Sequence, residues 1–246
     1  MQAQFAYVAN INDNTVSGYS IDRKTGALTP VPGSPFATGI DSPSVAVDPT
    51  ARFAYVTNSV GNTVSGYSID RKTGTLTPVP GSPFAGGGSP FSVAVDPTVQ
   101  FVYVTNLDDN TVSGYSIDRK IGALTPVPSS PFATGISPQS LAVDPTARFA
   151  YVANINDNTV SGYSIDRKTG ALTPVPGSPF ATGILPTSVA VDPTAQFAYV
   201  ASVVFFPEPG TVSGYSIDRK TGALTPVPGS PFAGGSSPFS VAITRH

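Results

Sequence analysis

Short apolar runs separated by clusters of Gly, Pro, Asn, Asp, Ser and Thr fill the chain from end to end. Between Phe5 and Val47 the first run, Phe5-Ala6-Tyr7-Val8-Ala9, gives way to a polar segment, Asn10 to Asn14, that reads as a hairpin loop. A second run, Thr15 to Ile21, ends at Asp-Arg-Lys-Thr-Gly, where Gly26 supplies the positive φ of a tight turn. Leu28 to Val31 is a third run, and a loop, PGSPFATGIDSP, leads to a fourth, Ser44 to Val47. Asp48-Pro49-Thr50 then turns the chain into the same series again. Every run is strand-length, and none carries a sustained 3.6-residue period with helix caps, so the pattern predicts an all-β protein.

The series is a repeat. The tyrosine of the first run recurs at Tyr7, Tyr55, Tyr103, Tyr151 and Tyr199, at a constant step of 48 residues. The TVSGYSID run begins at Thr15, Thr63, Thr111, Thr159 and Thr211, where the last step is 52, so the fifth unit carries four extra residues within Ser202 to Gly210. The units beginning at Phe5 and Phe149 differ only at Asp41/Leu185, Ser42/Pro186, Pro43/Thr187 and Arg52/Gln196, which argues for recent amplification or engineering of one unit. Units of this length that cannot bury their apolar faces alone must stack on one another. The expectation is a single domain over residues 1–246, a five-bladed β-propeller with units beginning near Phe5, Phe53, Phe101, Phe149 and Phe197.

Strand order follows from side-chain chemistry. Pro30 and Pro32 lie two apart, so their missing amide protons fall on one side of the strand, which places LTPVP at the outer edge of each blade. Such prolines also blunt that edge against pairing with other chains. The small apolar SVAV run suits the crowded innermost position, giving four antiparallel strands per blade. The chain opens on a second strand and ends on a lone innermost run, Ser240 to Ile243. If that last strand joins the first three, the ring closes within one chain, and a monomer is expected.

Composition narrows the function classes. Hydrophobic residues make up 40% of the 246 and aromatic residues 10%, enough for a sizeable core, whereas charged residues are only 11%, about half the usual share. A net charge of −2 gives no reason to expect a nucleic-acid surface. No apolar stretch approaches the ~18 residues of a membrane span, and no basic segment followed by a long apolar run marks a secretory signal, so the default reading is cytoplasmic. With no cysteine there are no disulfides and no thiolate metal sites.

The recurring string FAYVAN, NTVSGYSIDRKTGALTPVPGSPF, SVAVDPTARFAYV resembles the lactonase-type β-propeller family, close to the YVTN-repeat propellers, over essentially the whole chain. The resemblance implies a propeller fold and, as in 6-phosphogluconolactonase-like members, sugar-lactone hydrolysis. Members of that family usually have seven blades. Active ones rely on unrepeated His, Arg and acidic residues around the channel mouth, and no residue of this chain is matched to those roles.

Hydrolysis needs a base, an acid or a metal, and a site for developing negative charge. The one histidine, His246, stands at the end of the sequence, so a Ser-His-Asp triad or a histidine-rich metal site is not expected, nor is any cofactor. Asp48, Asp96, Asp144 and Asp192 precede proline and read as turn caps, with a cation-binding carboxylate ring as the alternative. The Asp-Arg-Lys triplets read as a solvated rim. The opposite rim repeats Asn10, Asn58, Asn106 and Asn154, neutral donors and acceptors that suit a carbohydrate or small polar ligand. Within the insert, Phe205, Phe206 and the only glutamate, Glu208, join this candidate site. The sequence reading is therefore a non-catalytic binding or structural module, with a sugar-lactone hydrolase as its rival.

Overall fold

The computed structural model describes residues 4–204 and 209–244. Strands make up all of its regular structure, and they form five separate antiparallel sheets, one per repeat. In the first sheet β1 (Phe5–Asn10) pairs with β2 (Thr15–Ile21), which pairs with β3 (Leu28–Pro30) and β4 (Phe36–Ala37). The second sheet adds an inner strand: β5 (Val45–Val47) pairs with β6 (Phe53–Asn58), then β7 (Thr63–Ile69), then β8 (Leu76–Pro78) and β9 (Phe84–Ala85). The remaining three sheets repeat this order, with inner strands Pro90–Val95, Pro138–Val143 and Pro186–Val191.

The expected strand order holds: VAV innermost, LTP outermost. The expected four strands gain a fifth, because the outer position is shared by two short strands. β3 covers Tyr19 to Ile21 of β2, and β4 covers Thr15 and Val16. Between them the backbone of Gly18 is satisfied by neither strand; its amide donates to Ser34 Oγ and its carbonyl accepts from Val31 N. A side chain at Gly18 would meet Val31 at 2.9 Å and Tyr7 at 3.1 Å, so the glycine in mid-strand answers to close packing.

Neighbouring sheets stack face on face. Between the second and third, Phe53, Tyr55, Val64 and Val79 bury against Val102, Val104, Tyr115, Ile117 and Leu124. That explains why the strands alternate aromatic and aliphatic residues with small ones rather than with charge: both faces of an internal sheet are covered. In β6 every residue is buried.

Each internal junction is fastened by the same contacts. Tyr7, Tyr55, Tyr103 and Tyr151 donate their hydroxyls to the carbonyls of Gly74, Gly122, Gly170 and Gly222 in the next sheet, at 2.7 to 2.9 Å. In the opposite direction Tyr67, Tyr115, Tyr163 and Tyr215 donate to the carbonyls of Ala37, Ala85, Ala133 and Ala181 in the preceding sheet. A Cβ on Gly122 would overlap the Phe53 ring, and Gly74, Gly170 and Gly222 face Phe5, Phe101 and Phe149 in the same way.

The expected closure of the ring by Ser240 to Ile243 is not formed. Residues 240–243 adopt no strand, and β1 pairs with β2 alone. Gly26, the counterpart of Gly122, has no heavy atom within 4 Å of where its Cβ would stand, so Phe197 does not reach it. The consequences show in exposure: Leu28 is 54% exposed where Leu76, Leu124, Leu172 and Leu224 are 5 to 6%, and Val8 is 48% exposed where Val56 is 0%. The five blades form an arc, open between the fifth and the first. The contacts of each junction set the angle between blades, and at that angle five blades stop short of a full turn.

Candidate functional site

The arc offers three surfaces: the hairpin rim, the opposite rim of Asp-Arg-Lys-Thr-Gly turns, and the axial side where successive inner strands lie beside one another.

On the hairpin rim, the asparagines nominated by the sequence sit inside the junctions. Asn58, Asn106 and Asn154 are fully buried. Asn58 Nδ2 donates to Thr63 Oγ1 and Ser65 Oγ, while its Oδ1 accepts from Thr38 Oγ1, Gly39 N and Ser42 Oγ of the connection from the blade before. Asn106 and Asn154 repeat the two donations. Their amides are committed at both ends, so these side chains hold loops together and leave nothing to offer a ligand. Asn10 is half-buried and donates to Thr15 and Ser17, but no described residue donates to its Oδ1, because the blade that would supply the donor is absent from that side. Phe205, Phe206 and Glu208 lie outside the described residues. At the base of their loop Ser202 replaces the repeated asparagine, and its shorter side chain leaves the buried hydroxyl of Thr211 without a hydrogen-bond partner among the described residues. What this rim does present is aliphatic: Ile11, Ile40, Val60, Ile136 and Ile184 are all exposed.

On the opposite rim, Asp48 accepts hydrogen bonds from the amides of Thr50, Arg52 and Phe53 and from the Thr50 hydroxyl. Asp96, Asp144 and Asp192 repeat the set, and all four are buried. They cap the turns, as the Asp-Pro-Thr spacing suggested, and no group of three or more His, Cys, Asp or Glu gathers among the described residues. Asp22, Asp70, Asp166 and Asp218 accept from the amides two and three residues on, and these backbone hydrogen bonds hold their carboxyls below the usual range. Two of the triplet arginines are also drawn into the fold: Arg119 donates to the carbonyls of Thr98 and Val99, and Arg219 to that of Thr194.

The axial side carries a feature that the sequence reading passed over. The serine that opens each inner run stitches that strand to the next: Ser44, Ser92, Ser140 and Ser188 accept, through Oγ, the amides of Val93, Leu141, Val189 and Val241 at 3.1 to 3.3 Å. All four are half-buried, and none donates its own proton to a described residue. The signal was present as an unvarying serine at a step of 48, hidden because serine beside valine also fits a plain inner strand.

Antiparallel sheets stacked through their faces, with inner strands gathered on one axial side, define a β-propeller blade set. The chain belongs to the lactonase family of β-propellers: the family described as "Lactonase, 7-bladed beta-propeller" matches residues 2–183. Among solved structures, a protein from Lactobacillus plantarum is similar at 19% identity and a TM-score of 0.81, over 96% of this chain and 70% of that one. The periplasmic gluconolactonase PpgL of Pseudomonas aeruginosa is similar at 17% identity and a TM-score of 0.77, over 95% and 68%. A functionally unknown protein from Desulfotomaculum acetoxidans gives 19% identity and a TM-score of 0.73, over 95% and 70%. No curated protein matches the chain.

Proposed function

We propose that this chain is a binding module of the lactonase-like family that takes a neutral, polyhydroxylated ligand such as a carbohydrate on its axial side. The observation that carries the reading is the ladder of Ser44, Ser92, Ser140 and Ser188, four equivalent hydroxyls that each accept one amide and retain a proton to donate. Hydroxyl donors without charge, repeated at even spacing between small apolar residues, match ligands that carry repeated hydroxyls of their own. Symmetric repetition favours this class over catalysis, since a reaction needs unlike groups converging on one atom whereas binding is served by like groups in series. The repeated Asp-Pro carboxylates, Asp48, Asp96, Asp144 and Asp192, are each committed to the amides of their own turn.

The rival reading, a sugar-lactone hydrolase, is favoured by family membership and by the gluconolactonase among its structural neighbours. One experiment separates them. Hydrolysis of gluconolactone and 6-phosphogluconolactone, corrected for spontaneous opening, is measured beside binding to a panel of neutral glycans. The binding module gives no rate above background, and any glycan signal weakens when Ser92 and Ser140 are changed together to Ala. A protein-dependent rate would establish the hydrolase instead, and binding indifferent to both serines would remove the axial site.

A further inference from the structure

Every blade brings one arginine to the rim of Asp-Arg-Lys turns, and two of the junctions bring a second. The residue that precedes the first phenylalanine of each unit is Gln4, Arg52, Gln100, Arg148 and Gln196 in chain order. This position faces the Asp-Arg-Lys turn of the next blade: Arg148 Nη1 donates to the carbonyl of Arg219 at 2.7 Å, and its Nη2 to that of Lys220 at 3.5 Å. An arginine there therefore joins the arginine of the neighbouring turn, Arg148 with Arg219 and, by equivalence in the repeat, Arg52 with Arg119. At the junction between the third and fourth blades the same place holds Gln100.

Between the fourth and fifth blades the two arginines border a cleft of about 220 Å³, whose other walls are the turns around Thr146 and Thr194. The Arg148 guanidinium lies over the Phe149 ring, 5.0 Å from its centroid, and Arg219 Nη2 donates to the Thr194 carbonyl at 3.0 Å. Those contacts fix where both groups stand. A guanidinium carries more N–H donors than these bonds use, so each keeps donors free at the cleft. Neither arginine forms an ion pair among the described residues. Asp144 contributes to the wall, but it is 1% exposed and both of its oxygens accept from its own turn, so it presents no free lone pair. Two guanidinium charges against one carboxylate leave the cleft positive. At the second junction Arg119 uses Nε as well as Nη2 on carbonyls, and the bulkier Val99 stands where Ala195 lines the cleft.

We propose that the cleft between Arg148 and Arg219 binds a phosphate group, free or carried as a monoester. Like charges held on one cleft without a counterion repel, and an anion between them converts that repulsion into attraction. Donors arriving from two blades suit a tetrahedral oxyanion, whose oxygens point in several directions, whereas one guanidinium fork suffices for a planar carboxylate. The site differs in place and in chemistry from the neutral axial ladder, and neither depends on the other. Bound phosphate also ties the fourth blade to the fifth, so it stabilises the folded chain as its concentration rises.

The test is calorimetric titration of the full chain with inorganic phosphate at low ionic strength, with acetate and methyl phosphate alongside. One phosphate per chain is expected, together with a rise in melting temperature. Arg148→Gln and Arg219→Gln are each expected to weaken binding at least about tenfold, the loss of one charge-assisted hydrogen bond or more. The first change installs the residue that the repeat itself carries at Gln100 and Gln196, so the fold accommodates it. Arg52→Gln is expected to leave the affinity unchanged. Gln100→Arg supplies a gain: it places a second arginine beside Arg167, at a junction where Ala147 matches Ala195, and is expected to raise the stoichiometry to about two. Methyl phosphate separates the sources. Binding as tight as that of phosphate marks a monoester ligand, binding lost on methylation marks the free ion, and both support the site. Absence of saturable phosphate binding overturns the proposal, as does affinity indifferent to Arg148→Gln. Acetate binding as tightly as phosphate overturns the assignment to phosphate.

Discussion

Tyr55 donates its hydroxyl to the carbonyl of Gly122, 67 residues further along the chain, at 2.9 Å in a fully buried contact between the second and third blades. The same residue type at Tyr199 makes no such bond to Gly26, because the fifth and first blades do not meet. One repeated sequence thus occupies two environments, and comparing equivalent positions isolates what a junction contributes.

Removing the hydroxyl at the buried copy leaves the Gly122 carbonyl without its partner. Tyr55→Phe is expected to lower stability by about 1–2 kcal/mol, the usual range for a lost buried hydrogen bond. Tyr199→Phe, in dilute solution, is expected to stay within about 0.5 kcal/mol, as for a surface change. Urea titrations of both variants make the comparison.

A similar pair separates backbone strain from packing. Gly26 and Gly122 both have positive φ, at 73° and 78°, so alanine strains each alike. Only at Gly122 does the new methyl also strike the Phe53 ring. Gly122→Ala should therefore cost about 1–3 kcal/mol more than Gly26→Ala, the range for overpacking, measured by the shift in denaturant midpoint.

The turn carboxylates give a third comparison. Asp96 receives two amides on one oxygen and an amide with a hydroxyl on the other. Asp96→Asn keeps one acceptor and turns an NH2 group toward the remaining donors, so a loss of about 2–4 kcal/mol is expected from the unsatisfied groups. Thermal melts of this variant beside Asp22→Asn, in an exposed turn, check it; Asp22→Asn is expected to shift the midpoint far less.

Alkali should act through the tyrosines. Burial pushes Tyr7 up to about 12 and raises Tyr55, Tyr103 and Tyr151 further, with Asp48, Asp96 and Asp144 adding repulsion toward their respective phenolates. The unfolded chain ionises near pH 10, where the folded chain still holds these protons. Above that pH the unfolded state binds fewer protons than the native state, so stability falls as pH rises from about 10 through 12. Phenolate absorbance of these buried tyrosines is expected to appear together with loss of the β-sheet circular dichroism signal. Full ionisation with the sheet signal intact would show that they are not held neutral by burial.

How much of this was legible in the sequence depends on the range of the interaction. Hairpins, edge prolines and Asp-Pro-Thr caps are set within a few residues, and the sequence reading placed them where they lie. The short β4 lies in a stretch that reads as loop, because two residues carry no period, and its pairing on Val16 is visible only once β3 has turned away at Val31. Asn58 read as a rim residue because it ends a hairpin strand; its burial comes from the Thr38–Gly39 segment of the blade before. The open ring was not legible either. The 240–243 sequence fits the empty place beside β1, and only the angle between blades decides whether it can reach.

The arc itself is tested most directly by a distance. Spin labels on cysteines placed at Lys72 and Lys120 report the spacing of adjacent blades, and labels at Lys24 and Lys220 report the gap between the first and the fifth. Pulsed dipolar measurement on dilute protein, with labelled chains diluted into unlabelled ones, is expected to give a clearly longer distance for Lys24 to Lys220. Equal distances for the two pairs would contradict the account, because they would mean that the five blades close on themselves.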